Sequence, residues 1–195
     1  RRYRIEGEGE WGIAEGLIYE NVVCEDFDVN EVRKISGIKA VFGLDFGYTD
    51  PNAFICAMVD NAAKRVYIFD EWYQTGVTNK IIAEQIKKMG YGGQVIICDN
   101  AEPKSIAELQ VEGIRAEPSR KGRDSVNHGI QLIQNYQIVV HPRCTEFKKE
   151  IDNYCWSRDR DGKPTDKPDH EFSHGQDAMR YGVTKILLPD AFSFD

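Results

Sequence analysis

Long hydrophobic runs are missing from this chain: no stretch approaches the roughly 18 consecutive apolar residues a membrane-spanning helix needs. Cysteine is sparse and arranged for neither disulfides nor a redox motif. The five cysteines (Cys24, Cys56, Cys98, Cys144, Cys155) are odd in number and include no C-x-x-C. Cys56 and Cys98 fall inside apolar runs, the pattern of reduced core thiols in an intracellular protein. His141, Cys144, Cys155 and His170 can be drawn together as a zinc set, but their spacing is too irregular to favour one. Positive charge is in deficit as well, with a formal net charge of −7. A protein that grips nucleic acid unaided is usually basic, so this balance counts against such a role. It does not count against a carboxylate cluster built for a metal ion. There is no G-x-x-x-x-G-K-[ST] phosphate loop, no internal repeat and no low-complexity tract. No signal-peptide pattern is present, and the opening Arg1-Arg2-Tyr3-Arg4 leads us to expect a piece of a longer protein.

What is present suits one well-cored domain: 195 residues, 41% apolar and 11% aromatic. Residues 11–23 alternate and suggest a hairpin or a strand leading into the domain. Residues 25–37 are polar and acidic, a loop with one helical turn. Strand-like runs follow at Ala40–Phe46, Ala53–Val59 and Arg65–Trp72, separated by Gly47-Tyr-Thr-Asp-Pro-Asn52 and Asp60-Asn61. Connections this short imply antiparallel neighbours.

The period then becomes helical over Asn79–Met89, where Ile81, Ile82, Gln85 and Ile86 recur at helical spacing. Gln94–Cys98 is an apolar run and predicts a strand covered on both faces. Pro103 opens a helix running to about Val111, followed by a brief strand at Ile114–Ala116. The pattern continues with a helix over Asp124–Tyr136, a strand at Gln137–Val140 and a helix at Thr145–Asn153. Ser157–Pro168 is charged and carries an Asp-Gly turn, as in an exposed hairpin. The last helix is expected over Ser173–Leu187, its start marked by the capping-box pattern Ser-His-Gly-Gln. Three antiparallel strands followed by alternating helix and strand make a mixed α/β sheet flanked by helices.

Three aspartates occupy awkward positions. Asp45 interrupts an apolar strand, Asp99 directly follows the run Val95–Cys98, and Asp177 lies one turn after His174 on the last helix. If the first and fourth core strands are neighbours, Asp45 and Asp99 meet at one sheet edge, and the last helix can bring Asp177 over them. Such a carboxylate set suits Mg²⁺ or Mn²⁺, and a pair of these ions can hydrolyse a phosphodiester. Each residue also has a structural reading. Asp45 can cap the turn at Gly47, Asp99 with Asn100 can cap the following helix, and Asp177 gains from the helix dipole. Glu71 ends the third strand, Glu84 reads as a surface residue, and Asp50 serves the Thr-Asp-Pro turn.

The segments G-L-D-F-G-Y-T-D-P-N-A (43–53), I-I-C-D-N-A-E-P-K-S (96–105) and D-H-E-F-S-H-G-Q-D-A-M-R-Y (169–181) occur in this order. Together they resemble the nuclease domain of tailed-phage and prophage terminase large subunits. R-K-G-R-D-S-V-N-H-G-I (120–130), Y-C-W-S-R-D-R-D-G-K-P (154–164) and W-G-I-A-E-G-L-I-Y (11–19) extend the resemblance over most of the chain.

The resemblance implies a ribonuclease H-like fold and a metal-dependent endonuclease that cuts concatemeric double-stranded DNA. Asp45, Asp99 and Asp177 would be its catalytic metal carboxylates, using two Mg²⁺ or Mn²⁺ ions. His174 would assist, or simply be a hydrogen-bonded residue at the helix start. Residues 1–38 would be a linker from an ATPase domain of the same polypeptide, and 39–195 the nuclease domain. A small terminase subunit and a portal protein are implied partners, no membrane is, and the implied location is the host cytoplasm. Lys121, Arg123, Arg158, Arg160 and Lys163, with Lys167, are candidates for the DNA backbone, or are simply solvated.

Three rival readings use the same residues. The opening segment is also similar to the first phosphate loop of actin-like and sugar-kinase-like ATPases, which need a second such loop and a second domain. A resolvase or transposase-type nuclease keeps the fold and changes the task. A docking module would carry the carboxylates as structural groups alone.

Overall fold

The computed structural model describes residues 16–120 and 125–188. In chain order, the first half contains β1 (Val22–Cys24), α1 (Val29–Arg33), β2 (Lys39–Asp45), β3 (Asn52–Asp60), β4 (Arg65–Gln74), α2 (Asn79–Lys88) and β5 (Val95–Cys98). The second half contains α3 (Pro103–Val111), β6 (Arg115–Pro118), α4 (Ser125–Gln134), β7 (Gln137–Val140), α5 (Thr145–Ile151), β8 (Trp156–Arg158) and β9 (Pro164–Pro168). A 3₁₀ turn (His170–Phe172) then leads into α6 (His174–Leu187).

Seven strands form one sheet in the order β1-β7-β4-β3-β2-β5-β6. The pairs β2/β3 and β3/β4 are antiparallel, while β2/β5, β5/β6, β4/β7 and β1/β7 are parallel. This is the mixed sheet expected from the turn signals and the later alternation. Every residue of β3 is buried, as a central strand covered on both faces demands. Two cores cover the sheet. Ile82, Ile86, Ile106 and Leu109 bring α2 and α3 against one face, and Ile130, Phe147, Met179 and Val183 bring α4, α5 and α6 against the other.

Along β2 the side chains alternate between these cores. Phe42 and Leu44 belong to the first, so Val41, Gly43 and Asp45 face α6. Helix α6 crosses β2 at very close range. A Cβ on Gly43 would lie 1.8 Å from the Ala178 carbonyl oxygen, and one on Gly182 would touch Val41 at 3.4 Å. His174, Ala178 and Gly182 are four residues apart and form one stripe of the helix. Since Gly182 sits over Val41 and Ala178 over Gly43, the start of α6 arrives over Asp45.

The capping-box expectation fails at this point. Ser173 is the N-cap residue, but it has helical backbone angles and its side chain caps nothing. Its hydroxyl donates to the His170 carbonyl oxygen instead, because the preceding 3₁₀ turn brings that acceptor to 3.2 Å. The Gln176 carboxamide is buried with no hydrogen-bond partner among the described residues. The charged hairpin is present as the separate β8/β9 ribbon.

Candidate active site

Strands β2 and β5 run parallel with Phe42 opposite Ile96, Gly43 opposite Ile97 and Leu44 opposite Cys98. The next residue along each is Asp45 and Asp99, so two carboxylates emerge side by side at the carboxyl edge of adjacent strands. Ligands of α/β sheets collect at such edges. The α6 crossing brings His174 and, one turn further on, Asp177 to the same edge.

Asp45 is buried, with only 9% of its surface exposed. It does not cap the turn at Gly47, whose N–H is taken by Asn52 Oδ1 at 3.1 Å. Its Oδ2 lies 3.1 Å from His174 Nδ1, and its Oδ1 accepts from the Tyr181 hydroxyl at 3.3 Å. Burial pushes its pKa up to about 6; the charges of Asp177 and Asp99 add to the rise, and the His174 contact pulls the other way without cancelling it. His174 is raised in turn, first through its hydrogen bond to Asp45. Tyr181 is raised chiefly by burial and then by the three aspartates, so its hydroxyl stays protonated and donates.

Asp99 Oδ1 accepts from the Ala101 N–H at 3.0 Å, a local turn contact rather than a cap on α3. Asp177 Oδ1 accepts from Arg180 Nη2 at 2.6 Å, three residues along the same helix. Their Oδ2 atoms accept no hydrogen bond among the described residues. The structure thus draws the three aspartates and His174 to one place. As they stand, however, no group of three or more Asp, Glu, His or Cys side chains closes to metal-binding geometry among the described residues. Asp99 and Asp177 each turn one oxygen to a protein donor, and Asp45 has both oxygens engaged.

The donor chemistry nevertheless fits a divalent ion. All three groups are hard oxygen ligands, Asp99 and Asp177 each retain an oxygen that accepts no hydrogen bond among the described residues, and Asp45 is held between His174 and Tyr181 at the same edge. The zinc alternative has no support. His141 Nε2 pairs with Asp26 at 3.2 Å, and the buried Cys144 lies against the Ile68 carbonyl oxygen.

Among the flap candidates, Arg158, Arg160 and Lys163 are all exposed, and Arg158 donates to the Gly162 carbonyl oxygen within its own hairpin. Lys121 and Arg123 lie outside the described residues. Glu84 is exposed on α2, on the opposite face of the sheet from α6. Asp50 lines a cleft of about 850 Å³ that opens beside His174, with Tyr73, Glu146, Glu150 and His170 on its walls.

Sequence reasoning passed over Arg180, Tyr181 and Glu150. Arg180 and Tyr181 stand three and four residues after Asp177, a spacing that puts them on its face of the helix and was the available signal. Glu150 sits between Phe147 and Ile151 on the buried stripe of α5, and an acidic residue in that register was the available signal. Burial raises its pKa to about 7, with Asp45 adding to the rise and the Gly175 N–H, His174 and Tyr73 opposing it.

These shifts carry a stability consequence. Asp45 and Glu150 bind a proton more tightly folded than unfolded, so their contribution is full below the ordinary carboxyl range and is lost as pH rises through about 6 and about 7. Glu71, raised mainly by burial, acts in the same direction. In EDTA the melting temperature is expected to fall between about pH 5 and about pH 8. Thermal melts across that range check this, and a steady rise would contradict the assignment.

The strand order and the paired strand-end carboxylates define a ribonuclease H-like α/β domain. The family described as "Terminase RNAseH like domain" matches residues 45–185, and the chain belongs to that family. It is 35% identical over 194 residues to the terminase large subunit of Bacillus phage SPP1, covering 95% of this chain and 45% of that one. It is 30% identical over 169 residues to the PBSX phage terminase large subunit of Bacillus subtilis, covering 82% of this chain and 38% of that one. The chain therefore spans less than half the length of these relatives. Among solved structures, the large-terminase nuclease domain of bacteriophage SPP1, crystallised with bound Mn, superposes with a TM-score of 0.77 at 32% identity, over 86% of this chain and 98% of that one. The nuclease of thermophilic phage G20c, crystallised with magnesium, shares the fold with a TM-score of 0.62 at 16% identity, over 88% of this chain and 98% of that one.

Proposed function

We propose that the chain is a divalent-metal-dependent endonuclease that cuts concatemeric double-stranded DNA during viral DNA packaging. The observation that carries this reading is the in-register placement of Asp45 and Asp99 beneath the start of α6. Asp45, Asp99 and Asp177 would hold two Mg²⁺ or Mn²⁺ ions, as the metal-bound relatives suggest. Those ions would supply an activated water and neutralise charge on the leaving oxygen. His174 and Tyr181 orient the Asp45 carboxylate from either side, and Arg180 restrains Asp177 while leaving its second oxygen available. The helix dipole at the start of α6 favours negative charge at this edge.

Net negative charge leaves the grip on DNA to local features and to partners. The exposed Arg160 and Lys163 on the hairpin, with Arg158, Lys121 and Arg123, are the proposed backbone contacts. Residues 1–38 would lead from an ATPase domain of the same polypeptide and 39–195 form the nuclease domain. A small terminase subunit and a portal protein would complete the machinery in the host cytoplasm. No helix among the described residues is long and apolar enough to cross a membrane.

Plasmid digestion in Mn²⁺ tests the reading. Asp99→Ala and Asp177→Ala should each lower cleavage by more than about a hundredfold, beyond what losing a supporting contact around a metal usually costs. EDTA should abolish cleavage by the wild type. Full activity in both variants would remove the proposed site, and EDTA-resistant cleavage would remove the metal.

A further inference from the structure

The first turn of α6 is held from outside its own sequence. Glu150, near the end of α5, is 7% exposed, and its Oε2 accepts from the Gly175 N–H at 2.7 Å and from the Tyr73 hydroxyl at 3.3 Å. A Cβ at position 175 would lie 1.9 Å from the Tyr73 hydroxyl and 2.8 Å from Glu150 Oε2, so the joint closes only around glycine. It satisfies one of the free N–H groups that a helix start exposes, a task that Ser173 leaves undone.

Strand β4 supplies the support beneath. Glu71 accepts from the Glu146 and Phe147 N–H groups at 2.9 and 2.8 Å, and so caps the start of α5. Tyr73 stands two residues further along the same strand and projects from the same face. One residue of β4 therefore fixes α5, and the other fixes the α5–α6 joint. His174, which meets Asp45, precedes Gly175 directly, and Asp177 follows two residues later.

We infer that Glu150, oriented by Tyr73, is a positioning residue that sets the first turn of α6 so that His174 and Asp177 address Asp45. The inference rests on the proposed metal site but assigns Glu150 no ligand role. Its bonded oxygen is occupied by the Gly175 N–H and the Tyr73 hydroxyl. A role confined to stability would lower the melting temperature and leave metal affinity alone.

Calorimetric titration with Mn²⁺, alongside amide hydrogen exchange, separates the two. Glu150→Ala should weaken Mn²⁺ binding by about tenfold to a hundredfold, the usual cost of losing an outer contact around a metal site. It should also speed exchange at the Gly175 amide by about tenfold or more, since that N–H loses its acceptor. Glu150→Gln keeps an acceptor oxygen and should restore most of both. Wild-type Mn²⁺ affinity in Glu150→Ala would overturn the inference, as would equal losses in Glu150→Ala and Glu150→Gln. If Glu150→Ala does not fold, Tyr73→Phe decides: weaker Mn²⁺ binding in a folded protein supports the role, and unchanged binding overturns it. If the wild type binds no Mn²⁺, the metal reading fails. The inference is then judged on exchange alone, where unchanged protection at Gly175 and Asp177 in Glu150→Ala overturns it.

Discussion

Replacing Asp45 with asparagine is expected to lower DNA cleavage by more than about a hundredfold while the EDTA-treated protein melts above the wild type. The two effects share one cause. Asp45 is nearly buried, and its pKa is pushed up to about 6 by burial and by Asp177 and Asp99, so keeping it ionised at neutral pH costs folding free energy. Asparagine is nearly isosteric and removes that charge. Its carbonyl oxygen can accept from the Tyr181 hydroxyl, and its amide can donate to a neutral His174 ring. The gain should be on the order of 1–2 kcal/mol, or a few degrees in melting temperature for a domain of this size. The same change takes a negative oxygen from the place where a divalent ion needs it. Adding Mn²⁺ should therefore raise the melting temperature of the wild type and do little for D45N. A variant that melts lower in EDTA and still cuts would show that Asp45 is structural. Paired melts and plasmid digestion provide the measurement. Stability given up at a functional carboxylate is a familiar pattern.

Gly43→Ala should be the most damaging small substitution in the sheet. Its Cβ would lie 1.8 Å from the Ala178 carbonyl oxygen and 2.6 Å from the Ala178 carbonyl carbon. Both are backbone atoms in the middle of a helix, so no side-chain rotation relieves the overlap. Either α6 lifts from β2 or the strand bends. Overpacking commonly costs about 1–3 kcal/mol, and a backbone collision belongs at or above the top of that range. The melting temperature should fall by about 10 °C. Activity should fall even where the protein remains folded, because lifting α6 carries His174 and Asp177 away from Asp45. Denaturation curves and Mn²⁺ titration of the folded fraction would measure both consequences. A fall in stability with unchanged Mn²⁺ affinity would mean that this crossing does not set the site.

Much of the fold was legible because it depends on local periodicity. The run Ala40–Phe46 and its two successors, divided by short turn segments, could only pair antiparallel, and β2, β3 and β4 do so. The apolar run before Asp99 announced a strand covered on both faces. Asp45, Asp99 and Asp177 could be singled out because each is a charge set in or beside an apolar pattern. Their meeting was conditional on one neighbour relation, that of β2 with β5, which no local signal encodes.

Other features lay beyond local reading. The Ser-His-Gly-Gln pattern has the letters of a capping box, yet the 3₁₀ turn before it draws the Ser173 hydroxyl backwards to His170. The cap comes instead from Glu150, 25 residues earlier in the chain. Gly43 and Gly175 read in sequence as ordinary small residues, although each marks a point where another element approaches closer than a side chain allows. The sequence by itself determined the succession of strands and helices, the strand-end placement of two aspartates and the helical spacing of His174 and Asp177. These follow from alternation, turn chemistry and the burial cost of charge, all of which act between near neighbours in the chain. Only the tertiary structure decided that β2 lies beside β5, that α6 presses its first turn onto Asp45, and that Tyr73 and Glu150 hold it there. Those arrangements arise from packing and hydrogen bonding between residues tens of positions apart, where the one-dimensional pattern carries no register.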